Sequence, residues 1–357
     1  MSLLWADFPS GFQGLYSSDE ALMLNGRYAE VANADLLDDP DPNITGRVLS
    51  LNGGFLASGV LRTVLLTSAL TVGMSMRVWM SGLPTDTGVL PNPVVLRNVS
   101  NTDLFSLRIE TDGRVSAYRG NGESGTLLGT STSPAFVSNA WQHLEAKVFL
   151  DDAVGTVEVR VEGIPVLELS DIDTLNSTGP CTQVVSRSNH TSSSFFKEYF
   201  IKDYLLWDTA GSINNDFFGS VSVYPLLTDA DISLNWTPST GTTGWDILDN
   251  IPPTDSIYIS APDPAPAAAV MSLTDLPADV TSVRGLISIV RAEKTDGGDG
   301  NLQVSLTSGA NTDAGADRPM TTAFTYWSDI SEINPGTGVF WTPTEVDAMD
   351  IEFDRTV

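Results

Sequence analysis

The stretch QHLEAKVFLDDAVGTVEVRV, residues 142–161, decides the fold. Apolar side chains take every second position at Leu144, Ala146, Val148 and Leu150, with Glu145, Lys147 and Phe149 between them. Asp151-Asp152 breaks the run, and alternation resumes at Val157, Val159 and Val161 against Glu158 and Arg160. A period of two puts successive side chains on opposite faces of an extended strand. The stretch therefore reads as two strands of a hairpin with one face turned to a core.

The same period recurs on either side of it. Val72, Met74, Met76, Val78 and Met80 alternate with Gly73, Ser75, Arg77 and Trp79, and Phe105, Leu107 and Ile109 alternate with Ser106, Arg108 and Glu110. One apolar and one polar face is the pattern of antiparallel sheets packed on one side. Turn signals separate the runs at Asp112-Gly113, Gly120 to Gly125, Glu162-Gly163 and Asp296 to Gly300. Many short strands at this spacing predict an all-β chain built on a jelly-roll sandwich. One short helix is expected near the end, where Thr342-Pro343-Thr344-Glu345 forms a capping box with Pro at the first helical position.

Polar residues from Thr228 to Pro238 interrupt the strand pattern, and Pro252, Pro253, Pro262, Pro264 and Pro266 follow. Proline donates no ladder hydrogen bond, so a boundary is expected here. The division expected is residues 1–230 as a jelly roll and 231–357 as a smaller acidic β-sandwich.

Composition narrows the function. The 357 residues hold 18 Lys+Arg against 45 Asp+Glu, a net charge of −27, which argues against a nucleic-acid partner because phosphate would be repelled. Charged residues are only 18% and hydrophobic ones 41%, enough apolar surface for real cores. One cysteine, Cys181, excludes a disulfide framework, and two histidines, His143 and His190, leave little for histidine chemistry. The amino terminus lacks the basic and apolar regions of a secretory signal, and Val60 to Met80 is broken by Arg62 and Arg77. No membrane insertion is expected.

SNAWQHLEAKVFLDDAVGTVEVRVEGIP, residues 138–165, resembles the laminin-G and concanavalin-A-like jelly roll at Trp141, His143, Gly155, Val157, Val159, Val161 and Gly163. YFIKDYLLWDTAGSINNDFFGSVSVYPL (199–226), LNWTPSTGTTGWDILDNIPPTDSIYIS (234–260) and NPGTGVFWTPTEVDAMDIEF (334–353) are similar to tailed-bacteriophage structural proteins that join such a domain to a smaller acidic β-domain. That resemblance implies a virion protein with other virion proteins as partners, assembled as a homo-oligomer with a trimer as the expected number. It places the protein on a tail fibre, a tail tip or the capsid surface. The alternative is a carbohydrate-binding attachment protein that takes a host-surface glycan on the jelly roll.

Glycosidases of this fold carry Glu-x-Asp-x-x-Glu on one strand, so that alternate carboxylates face the cleft. Glu110-Thr111-Asp112 starts that pattern, but Gly113, Arg114, Val115 and Ser116 follow it. The expectation is that the chain is not an enzyme. Gly120, Gly122 and Gly125 match the dinucleotide fingerprint as text, but the strand-like Thr126-Leu127-Leu128 follows where a helix is required. His143 is expected to be structural, next to the core Trp141. No cofactor is implied beyond calcium, which laminin-G-like domains hold in rim loops; Asp38, Asp39 and Asp41 are the candidate ligands. Phe340, Trp341, Met349 and Phe353 in the closing segment are the candidate docking anchor.

Overall fold

The computed structural model describes residues 3–7, 28–32, 35–38, 40–41, 47–51, 60–63, 68–85, 90–188, 198–250, 253–261 and 267–356. Asp39, His190, Pro252, Pro262, Pro264 and Pro266 lie outside the described residues. The chain divides into two compact units, Met1–Val223 and Tyr224–Val357. The division precedes the expected boundary at residue 230, because Thr228–Ser233 is an edge strand of the second unit, paired with Ala269–Leu273. A cut at 230 would split that strand.

The first unit is an antiparallel sandwich of two large sheets. Its eight-stranded sheet runs Ile164–Ile172, Gly155–Val161, Gln142–Phe149, Thr71–Met80, Tyr199–Trp207, Arg47–Ser50 and Asp35–Asp38, with Leu3–Asp7 also paired to Tyr199–Trp207. The seven-stranded sheet runs Thr126–Thr130, Val115–Arg119, Asp103–Ile109, Asn92–Arg97, Gln183–Arg187, Val60–Thr63 and Tyr28–Ala32. The expected hairpin is present, with Leu144 opposite Val161, Ala146 opposite Val159 and Val148 opposite Val157.

The alternation read from the sequence is what fills the space between the sheets. Met74, Met76, Leu144, Ala146 and Val159 of one sheet meet Val94, Leu96, Phe105, Leu107 and Ala117 of the other in one buried cluster. Fully burying a side chain of this kind contributes about 1.5–3 kcal/mol, so the paired sheets are held mainly by this layer. Opposite periodicity sends Ser75, Arg77, His143 and Glu145 to the outer face of the eight-stranded sheet and Arg62, Ser106 and Tyr118 to the outer face of the seven-stranded one. Those outer faces are where function can reside.

Gly73 shows how tightly one outer face is packed. It stands opposite Trp207, and a Cβ at this position would collide with the indole ring. A small residue is required for the indole to lie flat against the strand.

The second unit is a smaller two-layered β structure. Its main sheet runs Thr228–Ser233, Ala269–Leu273, Met349–Arg355, Asn301–Ser308 and Asn311–Ala314, with Arg318–Pro319 also on Asn301–Ser308. A two-stranded ribbon, Leu286–Ala292 with Thr325–Ser331, packs Val290 and Ala292 onto the core formed by Ala269, Met271, Val304 and Phe353. The capping box closes as expected around the helix Pro343–Asp347, where the Thr342 side chain accepts from the Glu345 N–H and the Glu345 carboxylate accepts from the Thr342 N–H.

Candidate functional site

The proposed docking anchor is corrected by packing. Trp341 and Met349 are 1% exposed, in a core with Val346 and Leu306, and Phe353 is buried in the neighbouring cluster with Met271. Each completes the second unit's own interior, and Trp341 also donates its indole N–H to Ser331 Oγ at 3.0 Å. Phe340 is half-buried, with the Arg284 guanidinium 5.5 Å from its ring centre. None of the four offers the open apolar area that docking needs.

Asp38 ends the strand Asp35–Asp38, Asp39 is outside the described residues, and Asp41 is half-buried in the following bend. Among the described residues no group of three His, Cys, Asp or Glu side chains is placed to hold a metal ion. Glu110 and Asp112 are both tied to arginines: Glu110 to Arg108 in a bidentate pair and Asp112 to Arg114 at 2.7 Å. Cys181 is buried, and burial pushes its thiol up to about 12, far from a reactive thiolate.

The outer face of the seven-stranded sheet gathers polar groups that no local motif announced. Register sets Arg62, Val185, Val95, Ser106, Tyr118 and Leu127 side by side across six strands. Gln183 stands opposite Arg97, which stands opposite Asp103. Asp103 Oδ1 accepts from Arg97 Nε at 2.6 Å, and its Oδ2 accepts from Arg187 Nη2 at 3.2 Å and Asn121 Nδ2 at 3.1 Å. Arg187 is itself opposite Asn92, at the other end of the Arg97 strand, so its side chain runs along the face to reach Asp103.

A loop closes one end of this face. Arg108 lies over the Tyr118 ring at 4.5 Å and donates to the Gly122 carbonyl at 2.8 Å. A Cβ on Gly122 would come within 2.9 Å of Asn92 Oδ1, so only glycine lets the loop approach so near. Burial, with the Glu110 carboxylate second, raises the Tyr118 hydroxyl above its ordinary range and keeps it a neutral donor. Asn92 is 0% exposed, yet neither atom of its amide has a hydrogen-bond partner among the described residues. The same holds for Gln183 Oε1 and Arg187 Nε. Buried polar groups are usually paired, and the side chains that carry these atoms lie on the same sheet face as the partly exposed Arg97 and Arg187.

The outer face of the eight-stranded sheet is instead closed by the chain itself. Residues 208–223 cross it. Glu145 Oε1 accepts from the Phe218 N–H at 2.8 Å and the Gly219 N–H at 3.1 Å, and Asp203 Oδ1 accepts from the Val223 N–H at 3.0 Å. Arg77 donates to Ser220 Oγ at 2.8 Å, Lys147 pairs with Asp216 at 2.6 Å, and Arg160 stacks on the Phe217 ring at 3.9 Å. Beneath this strap Ser75 Oγ and His143 Nε2 are 2.7 Å apart, both residues at 0% exposure. Burial, assisted by the Arg77 charge, lowers the His143 pKa to about 4, so the ring is neutral. Its Nδ1 has no carboxylate to orient it, and no partner among the described residues. A serine–histidine pair without that third group and without solvent access is a structural contact.

No protein-family model matches the sequence, and no curated protein matches it. Solved structures do. The carbohydrate recognition domain of Emp46p, in its potassium-bound form, is 12% identical over 57% of this chain and 99% of its own, with a TM-score of 0.38. An endo-β-1,4-glucuronan lyase from the fungus Trichoderma reesei is 9% identical over 50% of this chain and 90% of its own, TM-score 0.38. A sialidase is 13% identical over 50% of this chain, TM-score 0.35, and the match spans 17% of the sialidase's length. At such identities the likeness concerns the jelly-roll fold alone. Two of the three are nonetheless enzymes, so the fold does not exclude catalysis, and the expectation that this chain is not an enzyme is withdrawn. That expectation rested on the incomplete carboxylate pattern after Glu110 and on the scarcity of histidine and cysteine, and neither reads groups that adjacent strands bring together.

Proposed function

We propose that the first unit is a carbohydrate-binding module whose ligand lies on the outer face of the seven-stranded sheet, around Asn92, Gln183, Arg97 and Arg187. One observation carries the proposal: Asn92, Gln183 and Arg187, amide and guanidinium side chains with unfilled hydrogen-bonding groups, line that face beside Arg97. Sugar hydroxyls both donate and accept, so one ligand can satisfy an amide N–H, an amide oxygen and a guanidinium N–H together. The carbohydrate recognition that the Emp46p domain is named for is, for this chain, part of the proposal and rests on the face just described.

Screening the full chain against an oligosaccharide array tests it. At least one glycan should bind, and Gln183→Met should weaken that binding about tenfold or more, the equivalent of one lost hydrogen bond to a buried group. Circular dichroism should be unchanged by the substitution. An array without a hit, or full affinity in the variant, overturns the proposal. The setting is proposed from the sequence resemblance: a virion surface, other virion proteins as partners, a homo-oligomer with three copies, and a host-surface glycan as ligand. Immunogold labelling of particles checks the location, and a monodisperse monomer in light scattering would remove the trimer.

A further inference from the structure

We infer that the glycan is acidic, and that a carboxylate of the ligand binds against Arg97 and Arg187; this rests on the proposed carbohydrate face and narrows its ligand class. Two of the chain's 18 basic residues converge on one carboxylate, Asp103, in a protein of net charge −27. Among the described residues, two guanidinium groups meet one carboxylate there, an excess of one positive charge.

The donors are also in surplus. Asp103 engages Arg97 through Nε and Arg187 through Nη2, one nitrogen of each guanidinium. Each guanidinium is a rigid planar fork whose geometry matches a carboxylate, and charge-assisted bonds of this kind are roughly twice as strong as neutral ones. The side chains of Arg97 and Arg187 remain 17% and 12% exposed, so an edge of each can still be reached. A neutral sugar hydroxyl could take one donor but would leave the surplus charge uncompensated in a partly buried place. A uronate carboxylate answers both needs at the exposed edges of the two guanidinium groups.

The test uses the full chain and three probes of equal length: tetragalacturonate, its methyl ester and maltotetraose, compared by calorimetric titration. Tetragalacturonate should bind at least tenfold more tightly than the methyl ester, which keeps every ring hydroxyl and carries a neutral ester in place of each carboxylate. Arg187→Met should abolish that preference, and the wild-type comparison of acid with ester decides the matter even if the variant fails to fold. Equal affinity for acid and ester overturns the inference. If none of the probes binds while the array yields a neutral glycan sensitive to Gln183→Met, the acidic ligand falls and the carbohydrate face stands. If the array is empty too, both fall.

Discussion

His143 and Glu145 are two residues apart on one strand and titrate in opposite senses because both are buried. The folded His143 has a pKa of about 4 against an ordinary value of 6.5, so between those limits the unfolded chain takes a proton that the folded chain refuses. Stability from this residue is complete above the ordinary value and is lost as pH falls towards 4. The shift is worth on the order of 3 kcal/mol. Wild type should therefore lose more stability than His143→Gln between pH 7.5 and pH 4, by about 2–3 kcal/mol in urea unfolding; equal losses would show that the ring is not held neutral. Glu145 behaves in reverse. Burial outweighs its two backbone hydrogen bonds and raises its pKa, so the penalty for holding it ionised is full above that raised value and vanishes below the ordinary glutamate range. Glu145→Gln keeps an oxygen for the Phe218 and Gly219 amides and removes the charge. Its stability relative to wild type should rise with pH, and a difference that stays constant from pH 4 to pH 8 would count against the buried charge.

At the level of elements, what the sequence showed depended on how local the signal was. The capping box needs four consecutive residues, and it closed where Thr342 and Glu345 were seen. Thr342→Ala should cost about 0.5–2 kcal/mol, read as faster amide exchange at Glu345 and Val346 with little change in the first unit. Strand alternation was equally readable, since a buried face imposes its period on the chain: Leu144, Ala146, Val148 and their partners Val161, Val159, Val157 share one core. Sites were another matter. Asn92 and Asp103 lie on consecutive paired strands, but Gln183 belongs to a strand that comes far later in the chain and lands on the other side of the Asn92–Arg97 strand, so no window holds all three together. The Ser75–His143 contact was hidden for the same reason, and so was the strap that residues 208–223 draw across the sheet. Misassignment of Trp341, Met349 and Phe353 to docking came from judging apolar residues by their acidic neighbours in sequence, when the capped helix and the last strand turn them inward.

Across the whole molecule, the net charge of −27 opposes the ligand that the Arg97–Asp103–Arg187 cluster is inferred to bind. The two effects act over different distances, which makes them separable. The repulsion belongs to carboxylates spread over the chain and reaches as far as the Debye length allows, about 30 Å at 0.01 M salt and about 10 Å at 0.1 M. The guanidinium contacts act at hydrogen-bond distance, well inside that screening length. Raising salt from about 0.01 to 0.1 M should therefore remove much of the long-range barrier and leave the short contacts nearly intact. The association rate of tetragalacturonate should increase over that interval, the opposite of what a basic binding surface gives. Near 1 M, where the Debye length is about 3 Å, the contacts themselves are screened and dissociation should accelerate. Stopped-flow measurements on the full chain would follow both limbs. An association rate that falls steadily from the lowest salt would mean that the local positive field already governs the approach, and that the acidic surface lies too far from this face to be felt.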